Sequence, residues 1–232
     1  MKDRQLIKIS ITIVILFTLC LFPSLYNQAS AKSPVPKITK HSYKGISSLK
    51  YPQVSGINKK TASKINSTLK KAAEKSHKSY LQLKKAEKAV SKKELCKKTP
   101  KCSYSYNTLF QVKYNANGKL SLYYSDYAYT GGKSGKTHVT MYNFDLVTGK
   151  HYKIKDILKT SCTYKKVQKY AFAYLSTHKP YSDTVLKISD VTVNKNTQFS
   201  FYKGGIYLVY QEYGTQYDDG TPFIKIPKSV YQ

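Results

Sequence analysis

Residues 130–137 read TGGKSGKT, and Gly135-Lys136-Thr137 match the close of the G-x-x-x-x-G-K-[ST] loop that cradles nucleotide phosphates. Two features argue against that chemistry. Thr130 stands where the motif places its first glycine. A phosphate loop also needs a buried strand before it and a helix after it, so that backbone amides and the helix dipole face the anion. Here "SLYYSDYAY" precedes and "HVTMYNFDL" follows, and both alternate as half-exposed strands. The stretch is read as a glycine-rich connection between strands, and nucleotide is not an expected ligand. Metal chemistry finds no better support. His41, His77, His138, His151 and His178 are scattered, and Cys96, Cys102 and Cys162 lack zinc spacing. Asp218-Asp219-Gly220 reads as a turn, because calcium needs more oxygen ligands than it offers. There is no G-x-S-x-G nucleophile elbow. Asp126, Asp145, Asp156, Asp183, Asp190 and Glu212 are dispersed, mostly near turns or helix starts, whereas general acid–base work wants carboxylates gathered in a cleft. The expectation is a non-catalytic chain with no cofactor and no metal. Its alternative is an enzyme or accessory factor acting on wall glycan, with a constellation that only folding assembles.

The chemistry that remains is binding. Tyr123, Tyr127 and Tyr129 share one face of a strand, and tyrosine rings stack on sugar faces while their hydroxyls hydrogen-bond. Tyrosine equally suits a half-buried strand. Tyr127, Tyr129, Lys133, Lys136 and His138 are the candidate ligand contacts. Charge points the same way. The 232-residue chain carries 40 basic against 12 acidic residues, a formal +28, and Arg4 is its one arginine. Base readout and bidentate phosphate clamps favour arginine, so sequence-specific nucleic-acid recognition is not expected. A lysine field of this size attracts polyanions.

Lys2, Arg4 and Lys8 precede an apolar run from Ile9 to Phe22, and Ala29-Ser30-Ala31 supplies a small-x-small cleavage pattern. Residues 1–31 are expected to be a signal peptide cut after Ala31. The alternative is an uncleaved membrane anchor, although the run is short beside the ~20 apolar residues of a spanning helix. Cleavage lowers the net charge by only two, to +26. Export brings an oxidising environment. Cys96 and Cys102 bracket KKTPK and form the expected disulfide across Pro100, leaving Cys162 free or buried; pairing of Cys162 with either stays open.

The elements that must position these residues follow from periodicity. Residues 32–41 read as a flexible lead, and residues 42–232 as one domain. "HSYKGISSLKYPQVSG" reads as extended. From Lys59, Ala62, Ile65, Leu69, Ala72, Ala73, Tyr80 and Leu83 recur at helical spacing. Lys60, Lys64, Lys71, Lys75, Lys78 and Lys85 occupy the opposite face, the candidate polyanion face. Residues 59–101 hold 15 lysines against Glu74, Glu87 and Glu94. A basic amphipathic helix can lie on a membrane, but this one has no Trp or Phe to bury in lipid, so packing on a sheet is expected. Glu87 falls on the apolar arc, which takes the last turns out of the core. From Ser103 the period becomes two. "YSYNTLFQVKY", a turn at NANG, and "KLSLYYSDYAY" predict a hairpin, "THVTMYNFDL" a further strand, and "KHYKI" its return. Asp156 is a candidate N-cap for a short helical turn. Val167, Tyr170, Ala171, Tyr174 and Leu175 predict a second helix over 163–178. A hairpin at Gly204-Gly205 and an edge strand "PFIKIP" close the chain. The class is α+β: an antiparallel sheet of hairpins packed with two main helices.

"YPQVSGINKKTASKIN", the glycines Gly131, Gly132 and Gly135, "NFDLVTGK" (143–150), "DIL" (156–158) and "GTQYDDGTPFIKIP" together resemble a known domain. It is the extracytoplasmic domain of RsiV-type anti-sigma factors, which also adjoins the catalytic domain of PdaC-type peptidoglycan deacetylases. The resemblance covers about residues 42–228. It implies a mostly non-catalytic domain, which in the anti-sigma factors binds lysozyme. This sequence departs from the pattern. Lys133 and Ser134 replace the Ala and His of the family loop, and neither a sigma-binding segment before the apolar run nor a deacetylase domain after this one is expected. A strongly basic surface also disfavours basic lysozyme as partner. The reading is therefore an exported Gram-positive envelope protein, secreted or wall-associated, that binds an anionic cell-wall polymer or an envelope protein. Its alternative is a membrane-anchored extracellular sensor.

Overall fold

The computed structural model describes residues 35–211 and 222–232. The expected signal peptide with Ala29 and Ala31, Glu212, and the Asp218-Asp219-Gly220 turn lie outside the described residues.

Strands β1 (Lys37–Ser42) and β2 (Lys50–Ser55) pair antiparallel. The lead expected to be flexible over 32–41 is thus a strand from Lys37 onward. Its one aliphatic residue, Ile38, pairs opposite Val54 and packs with the Ile65 and Leu69 cluster. A segment this polar becomes a strand because the next strand along the chain, β2, supplies the ladder.

Helix α1 (Lys59–Lys88) starts at Asn58, whose side chain accepts from the amides of Lys60 and Thr61. Thr61, Ile65, Leu69, Ala72, Ala73 and Ser76 are its buried stripe. The stripe packs with Leu120, Leu122 and Phe144, while Lys60, Lys64, Lys71, Lys75, Lys78 and Lys85 all face solvent. No residue of α1 beyond Ser76 is buried, in line with the expectation from Glu87. Glu87 nonetheless works: it pairs with Lys84 and accepts the Tyr104 amide at 3.1 Å, tying the helix end to the following strand. Helix α2 (Lys92–Lys98) leads into the Cys96–Cys102 disulfide, and Cys162 is free and exposed.

Strands β3 (Ser105–Ala116) and β4 (Lys119–Tyr129) form the expected hairpin. Its two-residue turn, Asn117-Gly118, has φ of 51° and 68°, the positive pair that a type I′ turn requires. With β5 (Lys136–Asp145) and β6 (His151–Tyr152) they make a four-stranded antiparallel sheet in chain order. A second sheet, β7 (Gln198–Tyr202), β8 (Gly205–Val209) and β9 (Phe223–Pro227), is likewise antiparallel, with "PFIKIP" at its edge as expected. Alternation gives each sheet two faces. In the first, Leu120, Leu122 and Phe144 face α1, while Tyr123, Val139 and Met141 meet Val209 and Phe223 of the second. The far face of the second sheet, through Phe199, Ile206, Leu208, Ile224 and Ile226, receives Val167, Ala171 and Leu175 of helix α3 (Ser161–Leu175).

Polar groups stitch the two sheets. Buried Asn143 accepts from Ser121 Oγ at 2.6 Å and donates to the Phe199 carbonyl at 2.7 Å, while the Phe201 amide donates to Ser121 Oγ at 2.9 Å. Residues 139–141 have a ladder only on the β4 side, and side-chain amides replace the second. Gln198 accepts from the Met141 amide and donates to the Val139 carbonyl, and Gln211 accepts from the Val139 amide.

Three local expectations change. Tyr170 and Tyr174, placed on the buried side of the second helix, are exposed; Tyr174 stacks on His178 with centroids 4.0 Å apart. The stripe that α3 buries is Val167, Ala171 and Leu175, one residue in four, with Tyr164 and Phe172 packed partly buried against the same cluster. Asp156 is the third residue of its short turn, not the N-cap, and accepts from the Lys153 amide. The late hairpin turns at Lys203-Gly204, because Gly205 already pairs with Tyr202.

Candidate functional site

The glycine-rich stretch joins two adjacent antiparallel strands, β4 and β5, and a strand follows it where a phosphate loop would have a helix. Its glycines are explained by close approach. A Cβ on Gly135 would lie 2.4 Å from the Tyr127 ring and 2.6 Å from the Ala128 carbonyl oxygen. A Cβ on Gly131 would lie 2.8 Å from the Lys98 carbonyl oxygen, and its φ of 114° suits glycine alone. The loop therefore sits over Tyr127 on one side and against the end of α2 on the other.

This packing occupies the tyrosines expected to contact ligand. Tyr127 Oη accepts from the Gly135 amide at 3.2 Å, and Tyr129 Oη donates to the Gly132 carbonyl at 2.9 Å. Both rings are half-buried and hold the loop. Lys133, Lys136 and His138 are exposed beyond it. Tyr123, on the same face, stacks on Phe223, with the Lys113 ammonium 5.2 Å from its centroid. A shallow cleft of about 650 Å³ separates the loop from the disulfide segment, lined by Tyr129–Gly132 on one side and Cys96–Pro100 on the other. It brings Lys97 and Lys98 beside the central loop. Sequence reasoning did not join these segments, which lie some thirty residues apart; the bare Gly131 was the one local sign of a backbone close by.

The carboxylates are employed elsewhere. Asp126, beneath α1, accepts from Ser76 Oγ and from Tyr106 Oη at 2.8 Å. Burial raises the Tyr106 hydroxyl well above its ordinary range, and the Asp126 charge adds to this. Asp145 organises the β5–β6 turn, accepting from the amides of Val147 and Thr148 and from Tyr152 Oη. Burial opposes its ionisation, but these hydrogen bonds outweigh it and hold the carboxyl below its usual value. Asp156 takes the Lys150 ammonium at 2.7 Å, and Asp190 caps the amides of Leu186 and Lys187. Asp183 pairs loosely with Lys179 at 3.8 Å.

The span from β1 to the central loop has a counterpart among known families. Residues 38–137 match the family described as Deacetylase PdaC. That range takes in the β1–β2 ribbon, α1, the disulfide and the whole glycine-rich stretch. The PdaC resemblance read from the motifs holds there. Two solved structures share the fold over most of the chain. A member of the DUF3298 family from Bacteroides fragilis NCTC 9343 is 17% identical, with a TM-score of 0.51 over 85% of this chain and 90% of that one. A DUF3298 family protein from Pseudomonas aeruginosa PAO1 is 16% identical, with a TM-score of 0.53 over 86% and 93%. No curated protein matches the chain significantly. The likeness to anti-sigma factors rests on the sequence motifs alone.

Proposed function

We propose that the chain is an exported, non-catalytic binding protein of the cell envelope whose ligand is an anionic wall polymer. The observation that carries this reading is the solvent-exposed lysine face of α1, where Lys60, Lys64, Lys71, Lys75, Lys78 and Lys85 run the length of a 30-residue helix. A helix of that length extends for roughly 45 Å, so the lysines suit a long repeating polyanion better than a single small anion. Lys97, Lys98, Lys133 and Lys136 add charge around the central loop. Engagement of the carboxylates in turns, caps and the Asp126 clamp supports binding over acid–base catalysis.

The test is retention of the purified chain on cell wall with and without its teichoic acid, across a salt series. Retention should fall as salt rises and as teichoic acid is removed. The triple variant Lys71→Gln, Lys75→Gln, Lys78→Gln should release at lower salt. Retention indifferent to both salt and teichoic acid would sink the polymer reading and favour an envelope protein as partner.

A further inference from the structure

We infer that the chain holds a discrete recess for the phosphate ester of a polyol or sugar, at the end of the two sheets and separate from the lysine face of α1. The recess measures about 390 Å³. The end of β3, the start of β4, the segment after β6, the β7–β8 turn and the last residues of the chain form its walls. Four lysines line it: Lys119, Lys159, Lys203 and Lys228. Phe201 and Tyr114 give it an aromatic side, with ring centroids 6.3 Å apart. The Lys119 ammonium lies 5.0 Å from the Phe201 centroid, so charge and ring face are presented together.

The charge balance selects the ligand class. The recess has one acidic side chain, Asp156, which is already committed: it binds the Lys150 ammonium at 2.7 Å and accepts the Lys153 amide at 2.7 Å. Lys159, Lys203 and Lys228 are exposed and Lys119 is half-buried, so solvent screens their mutual repulsion, but the positive field of the four together favours an anion in the recess. A carboxylate brings one negative charge. A phosphate monoester brings close to two and three strong acceptor oxygens, and lysine binds phosphate as a point charge. The aromatic side adds what free phosphate cannot use, a surface for the carbon face of a polyol or sugar. The inference rests on the polymer reading in one respect: it gives the wall polymer a site for its terminal phosphate monoester, since units within such a polymer are diesters with one charge each. Its residues are different from those of α1, so the two can fail separately.

Isothermal titration of the full chain with glycerol 3-phosphate, inorganic phosphate, sodium glucuronate and glycerol, at constant ionic strength, tests it. Glycerol 3-phosphate should bind saturably and more tightly than the other three. The double variant Lys203→Gln, Lys228→Gln should weaken it about tenfold or more, the loss expected for charge-assisted contacts. Lys71→Gln with Lys75→Gln on α1 should change it less than about twofold, as distant sites are independent. Glycerol 3-phosphate should also shift the amide resonances of Gly204 and Gly205. Absence of saturable binding, or equal weakening by both double variants, would overturn the recess. Inorganic phosphate or glucuronate binding as tightly as the ester would overturn the ligand class. Wall retention lost with ester binding intact would remove the polymer reading alone; the converse would remove the recess alone.

Discussion

Single residues decide how the central loop is held. Gly131 has both a positive φ and the Lys98 carbonyl against it. Gly131→Ala therefore adds backbone strain and a clash with main chain that cannot swing aside, and should cost about 1–3 kcal/mol in urea unfolding. His151 is the second decisive residue. It lies against the rings of Tyr142 and Phe144, at 5.5 and 5.1 Å, and its buried Nε2 has no hydrogen-bond partner among the described residues. Burial, seconded by the Lys153 charge, pushes its pKa down to about 4. The unfolded chain takes up this proton near the ordinary value of ~6.5, and the folded chain only near 4. Stability is thus undiminished above pH ~6.5, declines as pH falls from there towards 4, and levels off for this group below. Unfolding midpoints measured across that window should show the decline, and His151→Phe should flatten it. An unchanged slope in the variant would assign the acid sensitivity to other groups.

Elements depend on side chains that complete their backbones. Asn143 joins the two sheets through Ser121 and the Phe199 carbonyl. Asn143→Leu keeps the branched heavy-atom skeleton but is bulkier and strands both partners in the core, and should destabilise by about 2–4 kcal/mol. Gln198 serves residues 139–141 where a strand partner is lacking. Gln198→Ala should cost less, about 1–2 kcal/mol, because Gln211 also donates to the Val139 carbonyl at 2.7 Å. Hydrogen exchange of the Met141 amide should rise in that variant; continued protection would mean that the side-chain amide is not its partner.

At the scale of the molecule, charge sets two responses of opposite sign. A formal +28 on 232 residues burdens the folded state with self-repulsion. Raising salt from about 20 mM to about 0.5 M shortens the Debye length several-fold, and should raise Tm by roughly 2–5 °C. The same salt should weaken wall retention. At low salt, a soluble polyphosphate should raise Tm by linkage, provided it binds the folded chain preferentially. A Tm that falls with moderate chloride would show that repulsion does not limit this fold.

The α+β class, the span of α1, the β3–β4 hairpin and its Asn117-Gly118 turn follow from short-range periodicity and turn chemistry, which the sequence carries locally. So do the Cys96–Cys102 bridge and the lysine face of α1, since each lies within one element or one short loop. Tertiary structure decided what depends on residues far apart in the chain. It turned Tyr170 and Tyr174 outward, with Val167, Ala171 and Leu175 taking the contact with the second sheet; the pairing of Lys37–Ser42 with β2 and the hold of Tyr127 and Tyr129 on their own loop are short-range contacts that side-chain period alone did not show. It also set Lys98 against Gly131, and gathered Lys119, Lys159, Lys203 and Lys228 around one recess. Hydrophobic period is a property of neighbours along the chain. A recess is a property of neighbours in space, and no local pattern encodes it.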